Sequence, residues 1–419
     1  MKPKVIYGPN GEPVHTVRAQ GPAFNSGGVG RRAFGWDGTS SHVNALLGGE
    51  VETIRRRQRQ EERSNPWASR ASDLFESNMV GQGIRPKPVH DDKDFAEEVL
   101  EAWEESCDEM DADGNSSFHG MCGLVARAAF DGGDCFARFR DRRMSDGLSV
   151  PLQVQLLEAE MCDSSYSINL DQSRRIKAGI EFDALGRRTK YWMWREHPGD
   201  LANSLRGSER VGVPANQISH IFQVRRPGQI RGIPGLASVL TMLKELNEVK
   251  DAHILRGKIQ NLFAVFETAP DSVASILNGQ NEPTPEESDD GVPISTVEPG
   301  GWYQLQPGHK VEFPSVPAMN NETLEFMRDG LRAVAAGAGF TYEQLTGDLT
   351  GVNFSSIRTG LNEFRRMATQ YQINCLVFQF CRPVFRRWLE AALLSGRLKM
   401  PESENLARDM RRLMRPRWM

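Results

Sequence analysis

Apolar residues fall three or four apart in some stretches of this chain and alternate with polar ones in others. Phe95, Val99, Ala102 and Trp103 predict a helix running to about Met110, and Phe118 to Phe130 predicts another. A turn at Asp113-Gly114-Asn115 separates them. The period then shortens. Asp134 to Arg140 reads as a strand, Val150 to Leu157 alternates apolar residues with Gln, and Ile218 to Val224 supplies a further strand. Ile180 to Trp194 reads as a hairpin around Ala184-Leu185-Gly186. Together these elements make a mixed α+β body.

Helices dominate from Leu236 onward. Two adjacent stripes run together there: Val239, Met242, Leu246 and Val249 beside Leu236, Leu240, Leu243 and Ile254. That width predicts burial against more than one neighbour. Strand-like pieces follow at Phe263-Ala264-Val265-Phe266 and Gly301-Trp302-Tyr303-Gln304-Leu305. Asn321 is placed to cap a helix carrying Leu324, Met327, Leu331 and Val334 on one side. The last long helix shows a heptad, Ile357, Leu361, Phe364, Ala368, Tyr371, Cys375 and Phe378, which Pro383 kinks or restarts. At the other end, residues 1 to about 50 are rich in Gly, Pro, Ser and Asn and keep no period. They predict an arm ordered only by a neighbouring subunit. A basic helix from Ile54 to Ser64 follows, and Asn65-Pro66 opens the next with proline at its first position.

Bulk composition narrows the class. A chain of 419 residues, 25% charged and 39% hydrophobic, is an ordinary soluble protein of two or three domains, or one subunit of a larger assembly. No run approaches the ~18 apolar residues of a membrane span, and no signal-peptide core opens the chain. Six cysteines without a C-x-x-C pair read as reduced core residues. The net charge of −4 hides a split. Glu267 to Glu312 carries nine acids against Lys310 alone, and Gly351 to Met419 carries thirteen Arg or Lys against five acids. Such polarity suits different partners at different ends, or two solvated faces.

Catalytic patterns mostly fail. No G-x-x-x-x-G-K-[ST] cradle, H-E-x-x-H pair or G-x-S-x-G elbow occurs. Asp111-Ala112-Asp113-Gly114-Asn115 begins like a calcium loop, but Ser116 takes the glycine position and Cys122 the bidentate Glu position. The residues therefore ask for no metal, no cofactor and no enzyme chemistry.

Two segments remain. From Ala333 through Ile357 there is no Lys or Arg, although Glu343 and Asp348 are present; Gly347 and Gly351 punctuate a loop, and Ser355-Ser356-Ile357-Arg358 opens the long helix. Flanking helices around an acidic, glycine-hinged loop suit a mobile element near a polyanion that must not be gripped. Arg226-Pro227-Gly228-Gln229-Ile230-Arg231-Gly232-Ile233-Pro234-Gly235 makes a sharp connection, where Arg231 serves the turn itself, a neighbour or a phosphate.

Both segments resemble blocks of the lambda-type phage portal family. Leu345 to Arg358 resembles "ltGDxsgvNySSiR", and the second segment is similar to "RPGQxRGxP". In order along the chain, Arg63–Ala68 resembles "RNNPyA", Val80–Gly83 "vVGxG", Leu156–Glu160 "lieaD" and Gly179–Asp183 "GIExD". The resemblance runs from about Arg55 to Trp418, and family members usually continue with a further helical segment. It implies an α+β portal subunit, a member of a homo-oligomeric ring, typically dodecameric, at one capsid vertex. The implied divisions are an N-terminal arm (1–54), wing (55–225), stem helix (226–262), clip (263–319), second stem helix (320–340), tunnel loop (341–356), a long helix (357–400) and the start of a crown (401–419).

The resemblance also implies site residues and partners. Glu343, Thr346, Gly347, Asp348, Thr350, Gly351 and Asn353 would face double-stranded DNA without sequence preference. Glu282, Glu286, Glu287, Asp289 and Asp290 would dock the terminase large subunit and head-completion or adaptor proteins. Arg231, Val239, Met242, Leu246, Val249, Leu324, Met327 and Leu331 would pack subunit on subunit. Major capsid protein and scaffold are further implied partners, with assembly in the host cytoplasm, residence in the virion and no membrane. Another head–tail junction protein such as an adaptor ring, or a nucleic-acid-processing enzyme, are the alternatives. A conduit should present acidic or neutral groups where DNA passes closest, because each phosphate neutralised adds affinity that ring symmetry multiplies.

Overall fold

The structure, a computed structural model, describes residues 41–200, 209–261, 321–351, 353–402 and 405–418, with short strands at 266–268, 286–287, 293–294 and 310–312. The body opens with α1 (Val43–Ser64), α2 (Pro66–Val80), β1 (Pro86–Lys87), α3 (Lys93–Cys107) and α4 (Phe118–Gly132). Strands β2 (Asp134–Asp141), β3 (Leu152–Glu158), β4 (Ile168–Asn169), β5 (Arg175–Lys177), β6 (Ile180–Phe182), β7 (Arg188–Trp194), β8 (Arg210–Pro214) and β9 (Ile218–Phe222) follow. Next come α5 (Leu240–Asn261), β10 (Phe266–Thr268), β11 (Glu286–Glu287), β12 (Pro293–Ile294) and β13 (Lys310–Glu312). The remainder is α6 (Asn321–Ala338), α7 (Tyr342–Thr346), α8 (Phe354–Tyr371), α9 (Arg382–Leu394), α10 (Leu406–Leu413) and β14 (Arg417–Trp418).

The strands form two antiparallel sheets in the body, β3-β2-β9 and the meander β4-β5-β6-β7-β8. The Ile180–Trp194 hairpin is present, with Ile180 opposite Tyr191. The expected arm is shorter than its composition suggested. Residues 1–40 lie outside the described residues, but α1 already begins at Val43, and Val43 and Val51 are buried. Asn44 ties this end to its own subunit, donating to the Gly228 carbonyl at 2.9 Å and accepting from Ile230 N–H at 3.0 Å. Asp111 accepts the N–H groups of Asp113, Asn115 and Ser116, so the calcium-like loop is organised by a side-chain cap. All six cysteines are buried as free thiols.

A buried charge network joins the two sheets to α1. Asp134, with no exposed surface, accepts Arg231 Nε at 2.6 Å on Oδ2; on Oδ1 it accepts Gly232 N–H at 2.6 Å and His220 Nε2 at 3.0 Å. Arg55 Nη2 lies 3.6 Å from Oδ2, while its Nε donates to the Gly132 carbonyl at 2.7 Å. Burial pushes the Asp134 carboxyl up, but Arg231, His220 and Arg55 outweigh it and hold it well below the usual carboxylate range. Arg231 spends its remaining donors on the carbonyls of Cys162, Ala178 and Ala159. No room is left beside it: a Cβ on Gly232 would lie 1.9 Å from the Gly133 carbonyl oxygen.

His220 is neutral in this setting. An ionised Asp134 can only accept and Arg188, 3.2 Å from Nδ1, can only donate, so the proton sits on Nε2. Burial, with Arg188 and Arg231 nearby, lowers its pKa to about 4 against the pull of Asp134.

The long C-terminal helix departs from a single heptad. After α8 the chain widens into π turns at 372–381 before α9. Phe364, Ala368, Tyr371 and Cys375 are buried as expected, whereas Phe378 is 62% exposed, because the wider turns rotate it off the stripe. Pro383 explains the position of the change. It has no N–H for the Gln379 carbonyl, and Ser219 Oγ donates to that carbonyl instead. The Gln379 side chain then accepts Phe222 N–H at 2.8 Å, closing the edge strand β9.

Asp134→Asn leaves two guanidinium groups buried without an anion and is expected to destabilise the subunit by about 3–5 kcal/mol, read by chemical denaturation. The pH dependence has a definite sign. Unfolded histidine protonates near 6.5, the folded His220 only near 4, so the unfolded chain binds more protons between those values and stability falls as pH is lowered through them. His220→Gln should lose less melting temperature than wild type over that interval; equal losses would show His220 already charged.

Candidate functional site

The site is built where α5 and α6 pack and hand the chain to the connection before α8. Glycines on α6 set the approach of the two helices. A Cβ on Gly330 would lie 2.7 Å from a Leu246 methyl, and one on Gly337 would lie 2.3 Å from a Val239 methyl. Val239, Leu246 and Leu331, expected between subunits, are therefore buried within this one. Arg231 is likewise corrected: it is 2% exposed and consumed by Asp134 and three carbonyls. The stripe thus meets α6 of its own subunit at Val239 and Leu246. Met242 and Leu324 do remain on the surface, 42% and 47% exposed, as do Ile254, Leu255 and Phe326; Val249 and Met327 are half-buried.

The connection is more structured than a hinged loop. Thr341 Oγ1 accepts Gln344 N–H and the Gln344 side chain accepts Thr341 N–H, a reciprocal cap that starts α7. Leu345 is buried and anchors the turn, and Gly347 N–H closes it on the Glu343 carbonyl at 2.8 Å. Glu343 and Thr346 thus belong to a helix, and the free loop contracts to 347–353. Glu343 sits in the first turn of α7, where a negative charge is favourable.

Asp348 organises what remains. Its Oδ1 accepts Thr350 N–H at 3.0 Å and Thr350 Oγ1 at 2.6 Å, and Oδ2 accepts the Tyr342 hydroxyl at 3.2 Å. The Thr350 hydroxyl and amide hold its pKa below the ordinary carboxylate value. Gly347 and Gly351 both take left-handed backbone, with φ of 72° and 74°. Asn353 is exposed at the entrance to α8. Between the glycines stands Leu349, 65% exposed, which the charge-based reading passed over. A lone large apolar residue between Asp348 and Thr350, inside a Gly-to-Gly turn, was the available signal.

Other expected positions are less complete. Glu286 and Glu287 form β11, paired with Ile294 and Pro293 of β12. Glu282, Asp289 and Asp290 lie outside the described residues, as does the strand expected at 301–305; the earlier piece meets β10 at Phe266. Glu158, Glu160 and His197 bring ligand-type atoms together, but Arg59 lies 3.2 and 3.0 Å from the two carboxylates and already occupies the cation position.

Comparison with known proteins decides the family. The model of phage portal proteins of the lambda family matches residues 29–372. The chain belongs to this family. It is 26% identical over 383 residues to the probable portal protein of Halomonas phage phiHAP-1, covering 87% of this chain and 71% of that one. It is 24% identical to portal protein B of Escherichia phage lambda, covering 89% of this chain and 75% of the relative. Among solved structures, a chain of the virion of a native gene transfer agent particle aligns with a TM-score of 0.46 and 11% identity, over 86% of this chain and 93% of the other. This portal-family chain is mixed helix and sheet, and among its described residues no helix is long and apolar enough to cross a membrane.

Asp348→Ala removes the acceptor for Thr350 and Tyr342, so amide exchange at 347–351 is expected to rise by about tenfold, the equivalent of one lost hydrogen bond. Asp348→Asn keeps an acceptor and should exchange near the wild-type rate. Equal exchange in all three proteins would show that the carboxylate does not hold the turn.

Proposed function

We propose that the chain is one subunit of a closed, dodecameric ring at one vertex of a phage capsid, whose central channel carries double-stranded DNA during packaging and ejection. The family match over residues 29–372, which spans the body, α5, α6 and the 339–353 connection, carries this reading. Ile254 and Leu324, exposed apolar residues of α5 and α6 that line one groove with Met327 and Leu331, support it, since such a groove suits head-to-tail packing around a ring.

In this reading the body at 55–225 is the wing, 226–262 and 320–340 are the stem, and 263–319 is the clip. The tunnel loop is 347–353 rather than 341–356. The acidic clip docks the terminase large subunit during packaging and head-completion or adaptor proteins afterwards, and its association weakens with salt. Major capsid protein and scaffold surround the ring as it assembles in the host cytoplasm. The subunit is a conduit and not a catalyst. DNA slides because the loop offers an acid and neutral polar groups to phosphate, and the ring repeats that offer around the channel.

Negative-stain images of the purified protein are expected to show rings with a central hole; a population of monomers alone would overturn the reading. In a packaging assay Asp348→Asn should perform near wild type. Asp348→Lys should stall DNA while leaving rings intact, and normal packaging by that variant would remove the loop from the channel.

A further inference from the structure

At the C-terminal end of the chain, α10 and the β1–β14 ladder border a cleft of about 620 Å³ lined by Arg408, Arg411, Arg412, Arg415 and Arg417. Arg408, Arg411, Arg412 and Arg415 recur three or four apart, so they share one side of α10 and the turn that follows it. Arg417 stands directly opposite Lys87 across the ladder, a like-charge pair that is unfavourable by itself. Among the described residues only Asp91 answers this group within ion-pair distance, 2.6 Å from Arg412.

A solvated helix end explains part of the group. Arg411 and Arg412 lie in the last turn of α10, where cations are favourable. It does not explain Arg408, which lies in the first turn of α10, where the dipole opposes a cation, or Arg415 and Arg417, which lie beyond the helix. The cleft is also firmly held. Leu413 is fully buried, Arg386 Nε donates to the Met414 carbonyl at 3.1 Å, and Trp418 packs edge-on against Phe385. Exposed guanidinium groups gathered along one held cleft, with Arg411 Nε tied to the Ala407 carbonyl of its own helix, suit an anion with several charges in a row. Side chains three and four apart on a helix stand about 5–6 Å from one another, so they present a series of forks rather than one pocket. Each fork matches phosphate oxygens in pairs.

We propose that this cleft binds the phosphate backbone of double-stranded DNA without reading its sequence. The proposal rests on the conduit reading and adds to it a contact that grips, apart from the loop that lets DNA slide. The competing occupant is the outward face of α3 on a second copy, where Asp94, Glu97, Glu98, Glu101, Glu104 and Glu105 are all exposed.

The test uses the purified full chain with Arg408, Arg411 and Arg415 all changed to Ala, leaving the Arg412–Asp91 pair intact. Binding of a short fluorescent duplex of mixed sequence is measured by anisotropy across a salt series, and assembly by negative stain. Expected are intact rings, affinity at physiological salt reduced roughly tenfold or more, and a salt slope shallower by about one for each arginine removed. Unchanged affinity and slope would overturn the proposal. Rings that fall apart in the variant would overturn it in favour of a subunit contact through α3. A wild-type protein that forms no rings but loses duplex binding with these arginines would keep the cleft and reject the conduit.

Discussion

Asp134 carries a full charge where water cannot reach it, and the body is arranged around keeping that charge matched. Arg231 comes from the turn before α5, Arg55 from α1 and His220 from the edge strand β9, so three separate parts of the chain converge on one carboxylate. The carbonyls of Ala159, Cys162 and Ala178 then extend the same network to the second sheet through Arg231. Breaking such a pair costs more than the pair itself contributes, because the partner is left charged and dry. The network therefore specifies how the sheets and α1 sit together more than it adds net stability.

Backbone groups at the far side of the same sheet are satisfied by a comparable substitution. Proline removes one helical donor, the turns ahead of it widen, and Gln379 turns both its carbonyl and its amide toward β9. A helix defect thereby becomes the cover for an open strand edge. The aromatic cluster of Trp103, Phe118, Phe380, Phe385 and Trp388 packs beneath it, with Trp103 edge-on to both Phe118 and Trp388.

Charge is distributed by the same logic at the surface. The connection before α8 keeps its acids engaged, Asp348 by Thr350 and Tyr342, and Glu343 in the first turn of α7. By contrast, the arginines of α10 line an open cleft, and among the described residues the ion pair they make is that of Arg412 with Asp91. Neutral donors fix the Asp348 carboxylate without cancelling its charge, so it repels a polyanion, whereas clustered guanidinium groups attract one. The two therefore suit opposite tasks on one molecule.

Much of the fold was legible in the chain because local periodicity reports local structure. The helices at 95–110 and 118–130, the strand at Asp134, the 180–194 hairpin and the Asn65-Pro66 start each depend on residues close in sequence, and each is present. The family was legible too, through strings such as Arg226–Gly235 and Leu345–Arg358. What a side chain touches across the fold was not. Arg231 reads equally as serving its turn, a neighbour or a phosphate, since nothing within its own turn reveals Asp134, 97 residues away. Val239, Leu246 and Leu331 read as an apolar stripe, but only packing against the glycines of α6 turned that stripe inward. Phe378 fitted the heptad until proline changed the pitch. Periodicity defines which residues are apolar and on which helix face; the tertiary structure alone chooses the partner, because burial and charge matching are set by groups distant in the chain.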